Sequence, residues 1–77
     1  MRKSLKYLSE KKYIVFKDGI DIGAVVYGRL YRYDTGKPID TYTIRKGSLY
    51  KAESIVGELV GLKIFTINEE ILELEEI

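Results

Sequence analysis

Between Tyr13 and Arg45 β-branched and aromatic residues recur in short runs bounded by Gly, Asp and Pro, which predicts strands rather than helices. Tyr13 to Phe16 is a β-branched and aromatic run ending at Asp18-Gly19, a dipeptide suited to a two-residue hairpin turn. The predicted return strand starts at Ile20 and extends to Tyr33, with Gly23 and Gly28 as places where a bulge or bend lets so long a strand coil. Asp34-Thr35-Gly36-Lys37 then reads as a tight turn, with Gly36 in its left-handed position. Pro38, which lacks a ladder donor, stands just beyond it. Ile39 to Arg45 is the partner strand.

The period changes after Gly47. Ser48 suits a helix N-cap, Leu49, Ala52, Val56, Leu59 and Val60 fall on one helical face, and Gly61 suits the left-handed stop. A helix over 48–61 is therefore predicted, although Gly57 inside it costs up to about 1 kcal/mol relative to alanine. If Gly57 marks a turn instead, the same stretch forms two short strands. Residues 62–67 read as a strand. The tail, NEEILELEEI, fits a helix capped by Asn68 or a strand closing a hairpin around 68–70, and the strand is preferred. That hairpin sets Leu72 and Leu74 beside Thr66 and Ile64, and Lys63 opposite Glu75. At the N-terminus Ser4, Leu5 and Leu8 predict one or two helical turns at an edge.

These elements predict one α+β domain over residues 1–77: an antiparallel sheet of about five strands with one packed helix. A small all-β barrel is the alternative. The expected core comprises Tyr13, Val15, Val26, Leu30, Ile44, Val56, Leu59, Ile64 and Leu72.

Size restricts how such a fold can be stabilised. A 77-residue chain buries only about 60% of its unfolded surface, so small domains often add disulfides, a metal or a partner subunit. Cysteine and histidine are both absent, which removes disulfides and the usual zinc ligands and leaves tight packing, a homodimer or both. No cofactor is expected. Glutamine and tryptophan are also missing and Asn68 is the only asparagine, a composition resembling that of hyperthermophile proteins. Neither a signal-peptide core nor an apolar run of about 20 residues occurs, so the expectation is a cytoplasmic protein that does not enter the membrane.

The net charge of +1 conceals a division. Residues 1–51 carry twelve Lys or Arg against five Asp or Glu, whereas residues 52–77 carry Lys63 against seven Glu. Local fields of this kind attract a phosphate backbone or an oppositely charged partner.

Catalytic groups are few. Without His or Cys the familiar nucleophile–base arrangements cannot be built. Asp34 and Asp40 flank a turn, which turn chemistry alone explains. DTGK lacks the first glycine of a phosphate-binding loop, and DGIDIG lacks the spacing of a calcium loop. The sequence therefore points away from an enzyme.

One stretch stands apart. Residues 27–46 hold four of the seven tyrosines and five of the thirteen basic residues. Pairing Tyr33 with Lys37 places Tyr31 opposite Ile39, Arg29 opposite Thr41, Tyr27 opposite Thr43 and Val25 opposite Arg45. A sheet face of tyrosines and arginines can stack bases and meet phosphates. Tyr27, Arg29, Tyr31, Tyr33, Arg45 and Lys46 are thus candidate contacts to a DNA or RNA backbone. Tyrosine and threonine also form strands without any ligand. A protein partner is the alternative, with the chain as an inhibitor, an adaptor or a small subunit of a larger assembly.

Overall fold

In the computed structural model, which describes residues 6–77, eight strands follow one another around a closed antiparallel barrel. They are β1 (Lys12–Lys17), β2 (Ile20–Val26), β3 (Arg29–Arg32), β4 (Asp40–Arg45), β5 (Ser48–Lys51), β6 (Ser54–Val60), β7 (Lys63–Thr66) and β8 (Ile71–Glu76). β8 pairs with β1 and closes the ring, so every strand has two neighbours. Closure removes the free edges through which short sheets aggregate. It also lets strands of four to seven residues persist, because each is hydrogen-bonded on both sides.

The expected α+β architecture is therefore corrected. No helix occurs among the described residues, and the small all-β barrel is the architecture that fits. The segment predicted as a helix over 48–61 is the β5–β6 hairpin, turning at Ala52-Glu53, with Ala52 at φ 56°. Its apolar spacing of three to four arises from a hairpin turn followed by a bulge, which together imitate a helical period. Gly57 faces inward here. A side-chain carbon on it would stand 3.1 Å from the Phe65 carbonyl oxygen and 3.3 Å from Ile64 Cγ2, so glycine lets β6 approach its neighbours. Ser4 and Leu5 lie outside the described residues; around Leu8 the chain makes a turn, with Lys11 N–H donating to the Leu8 carbonyl at 3.1 Å.

The predicted long strand over 20–33 is two strands. Tyr27 and Gly28 form a two-residue turn with φ of 49° and 79°, the pattern of a type I′ hairpin. Val26 then pairs with Arg29, and Val25 with Leu30. Such a turn reverses the parity that an unbroken strand would have carried across it. Val25 therefore enters the core, while Val26 stands outside. In the next hairpin Arg29 opposes Thr43 and Tyr31 opposes Thr41, two residues from the predicted register. The connection lengthens because Asp34 folds back onto Arg32, accepting hydrogen bonds from Nε at 2.9 Å and one terminal nitrogen at 2.8 Å.

The interior is filled by Tyr13, Val15, Ile22, Val25, Leu30, Ile44, Leu49, Ile64, Leu72 and Leu74. Eight strands leave an interior just wide enough for such side chains. Of the predicted core, Val56 and Leu59 are only partly buried, though they pack against this cluster. The tail is a strand, as preferred, but shifted: Ile64 faces Leu72 and Lys63 faces Glu73.

Candidate functional site

An up-and-down barrel has two ends and one outer wall, and charged residues occupy them differently. At the end formed by the β1–β2, β3–β4, β5–β6 and β7–β8 connections, charged groups gather around the mouth of the barrel. Arg32 stands opposite Gly23 on β2, where a side-chain carbon would fall on the Tyr31 carbonyl oxygen. Its guanidinium is buried and forked between two carboxylates, Asp34 at 2.8 Å and Glu70 at 3.1 Å. Lys17 adds a second contact to Glu70 at 2.9 Å. Across the mouth Lys51 reaches Asp40 at 3.1 Å and lies 5.5 Å from the centre of the Tyr42 ring.

These contacts fix protonation. Hydrogen bonds from Arg32 and then Lys17 hold the Glu70 carboxyl down at about 2, and Arg32 likewise lowers Asp34. The Lys51 hydrogen bond lowers Asp40. Burial, reinforced by the hydrogen bond to Asp40, raises the Tyr42 phenol. A cavity of about 120 Å³, lined in part by Arg32, Tyr42, Lys51, Thr66 and Glu70, opens here. Three cations meet three carboxylates around it, so its charges are satisfied internally, and its volume falls below that of ordinary small-molecule sites.

The outer wall differs. One cross-strand row runs Lys12, Val26, Arg29, Thr43, Tyr50 and Ile55 over β1 to β6. A second row holds Ile14, Ala24, Tyr31 and Thr41. Arg45, two residues beyond Thr43 on the same face, lays its guanidinium 4.2 Å from the centre of the Tyr50 ring, a cation–π contact. Lys46 forms the β4–β5 turn with Gly47. Among the described residues Lys12, Arg29, Arg45 and Lys46 make no ion pair. The exposed glutamates Glu58, Glu73 and Glu75 stand on β6 and β8, the strands that border this wall on either side, with Lys63 on β7 between them. The division of charge along the sequence thus becomes a division around the wall.

All six residues selected from sequence point outward or sit at a turn. Arg29, Tyr31 and Arg45 share the β3–β4 face, as expected, because a two-residue register slip preserves the side of the sheet. Tyr27 leaves that row for the turn and is 69% exposed. Tyr33 lies past the end of β3, where its hydroxyl donates to Asp21 and its phenol is raised by that bond. Lys46 stands at the far end of the barrel from Tyr33. Sequence analysis missed Lys12 and Tyr50. Tyr50 was hidden by the helical assignment; taken as a strand, SLYK alternates Leu49 inward and Tyr50 outward.

Among known proteins, the chain matches no family model, no curated protein and no solved structure. Among the described residues no helix is long and apolar enough to cross a membrane.

Proposed function

We propose that this chain is a small non-enzymatic nucleic-acid-binding protein that grips mainly the sugar-phosphate backbone. One observation carries the proposal: among the described residues Lys12, Arg29, Arg45 and Lys46 make no ion pair on the wall and rim, whereas Lys17, Arg32 and Lys51 at the mouth are each matched to a carboxylate. A cation without a protein partner is free to exchange its counterions for a phosphate. Arg29, Arg45, Lys46 and Lys12 meet phosphates, and Tyr27, Tyr31 and Tyr50 offer rings on the same wall and rim, whereas Tyr33 is held at the opposite end by Asp21.

Binding measured by fluorescence anisotropy from low to moderate salt tests this. Four contacts predict that log K falls with log salt at a slope of roughly −3 to −4, from about 0.7 to 0.9 per phosphate. Arg29→Glu with Arg45→Glu abolishes binding at moderate salt. An affinity that ignores ionic strength, or a double variant that binds as well as the wild type, removes the proposal.

A second role, as a protein-interaction module, draws on a different surface. Phe65 and Ile71 pair across β7 and β8, remain 44% and 50% exposed, and lie beside Glu58. A partner that survives nuclease treatment and is lost on Phe65→Ser favours that role.

A further inference from the structure

Three hairpins share the same two-residue turn with both φ positive: Asp18-Gly19, Tyr27-Gly28 and Lys46-Gly47. The first position of this turn favours Asn, Asp or Gly, whose short side chains tolerate the left-handed region. Asp18 obeys that preference. Tyr27, at φ 49°, and Lys46, at φ 50°, do not. A bulky side chain held there is strained, and the Tyr27 ring, 69% exposed, gains little burial in return.

Strands alternate in direction around the barrel, so the β2–β3 and β4–β5 turns lie at the same end and Asp18-Gly19 lies at the other. Each of the two unusual turns is tied to a neighbouring strand. The Gly28 carbonyl accepts from Ile44 N–H at 2.8 Å, two residues before Lys46, and the Gly47 carbonyl accepts from Leu59 N–H at 2.8 Å. Arg29 follows one turn and Arg45 precedes the other. An aromatic ring and a cation thus stand at one end of the barrel in turn positions that turn chemistry alone would have filled with different residues, each next to a strand arginine.

We infer that the nucleic acid bound here is single-stranded, with an unpaired base stacked on Tyr27 and the neighbouring phosphates on Lys46, Arg45 and Arg29. This inference rests on the nucleic-acid reading above and narrows it. A ring at a turn tip can stack only on a base whose face is free, and bases within a duplex are covered on both faces. Shape favours the same ligand. The cations from Lys12 to Arg45 span four adjacent strands, each about 4.8 Å from the next, around a convex wall. A duplex, stiff over about 150 base pairs, touches such a wall along a line, whereas a flexible single strand can follow its curve.

The decisive variant is Tyr27→Asn, which gives the turn its preferred residue and so preserves or raises Tm while removing the ring. Labelled short single strands of mixed sequence, one DNA and one RNA, are titrated beside the duplex of the same DNA. The expected result is tighter binding of at least one single strand than of the duplex. Tyr27→Asn then weakens single-strand binding roughly 5- to 100-fold, leaves the salt slope unchanged and barely affects the duplex, while Tyr27→Phe binds as the wild type. Duplex binding equal to or tighter than that of either strand overturns the inference and leaves backbone binding in place. Tyr27→Asn binding single strands at full affinity overturns it as well. Failure of all three ligands to bind at low salt removes backbone binding itself.

Discussion

Lys17, Arg32 and Lys51 gather at the mouth of the barrel; Lys12, Arg29, Arg45 and Lys46 stand on its wall and rim. The residue types are the same and the surroundings opposite. Lys17, Arg32 and Lys51 each meet a carboxylate supplied by another strand or loop, and Arg32 meets two. On the wall the nearest outward neighbours across the strands are Val26, Thr43 and Ser48, which offer no charge. Arg29 and Arg32 lie three positions apart on one short strand, and pleat parity alone sends them to opposite sides. Under the proposed function, mouth cations serve stability and wall cations serve binding.

The strongest way to break this comparison is to destroy the ladder that separates the two sides. Gly23 opposes Arg32, and any side chain there would occupy the place of the Tyr31 carbonyl. Gly23→Ala is expected to cost more than about 4 kcal/mol, an exceptional loss that a small domain cannot absorb. Far-ultraviolet circular dichroism would show loss of the cooperative thermal transition. A folded variant with a near-normal Tm would mean that β2 and β3 can separate without harm.

A paired substitution tests the assignment directly. Arg32→Met leaves Asp34 and part of Glu70 without their cation and should cost about 3 kcal/mol, lowering Tm by more than about 10 °C. Arg29→Met removes an exposed, unpaired cation and should stay within about 0.5 kcal/mol of the wild type. Binding should fall for Arg29→Met and persist for Arg32→Met below its lowered Tm. Equal stability losses would end the distinction between mouth and wall.

Arg29, Tyr31 and Arg45 kept a common outward face, though Tyr27 left it, because the register error was even-numbered. Shifting the β3–β4 register by two moved partners along the ladder but kept Arg29 and Tyr31 facing outward. Asp18-Gly19 was legible because its chemistry is the usual one for its turn, whereas Tyr27-Gly28 was not, since an aromatic residue gives no turn signal. That single omission joined two strands into one and exchanged Val25 for Val26 in the core. The β5–β6 hairpin was misread for a related reason. Ala52 at a left-handed position carries no warning, and the bulge near Val56 restores apolar residues at helical spacing. The matched charges at the mouth were illegible altogether, because Glu70 and Arg32 are 38 residues apart and meet only when the ring closes.

Acid separates the two regions next. Glu70 titrates at about 2 in the folded chain, below its ordinary 4.5, so its interactions stabilise the fold fully above 4.5 and are lost as pH falls from about 4.5 toward 2. Asp34 and Asp40, also lowered by their cations, act in the same direction. Allowing for solvent screening at the mouth, Glu70 contributes about 1–2 kcal/mol. Chemical denaturation at pH 7 and pH 3 should show that difference, and Glu70→Gln should shrink it. Arg29→Met, which touches no carboxylate, should leave it unchanged; an altered acid response there would show that the wall takes part in the network.

The smallest effect concerns a contact that the wall makes with itself. Arg45 lies over Tyr50, and Tyr50→Leu keeps an apolar strand residue while removing the ring face. An exposed cation–π contact contributes about 0.5–1 kcal/mol, so Tm should drop by no more than a few degrees. Binding is the more informative measurement. If the stack serves chiefly to hold the guanidinium in place for a phosphate, Tyr50→Leu weakens nucleic-acid affinity severalfold while the salt slope stays the same, because Arg45 still carries its charge. If the stack serves stability alone, Tm falls and affinity does not. The second outcome would move Arg45 from the wall's role to the mouth's, and the boundary between binding and folding would then run through β4 rather than around the barrel.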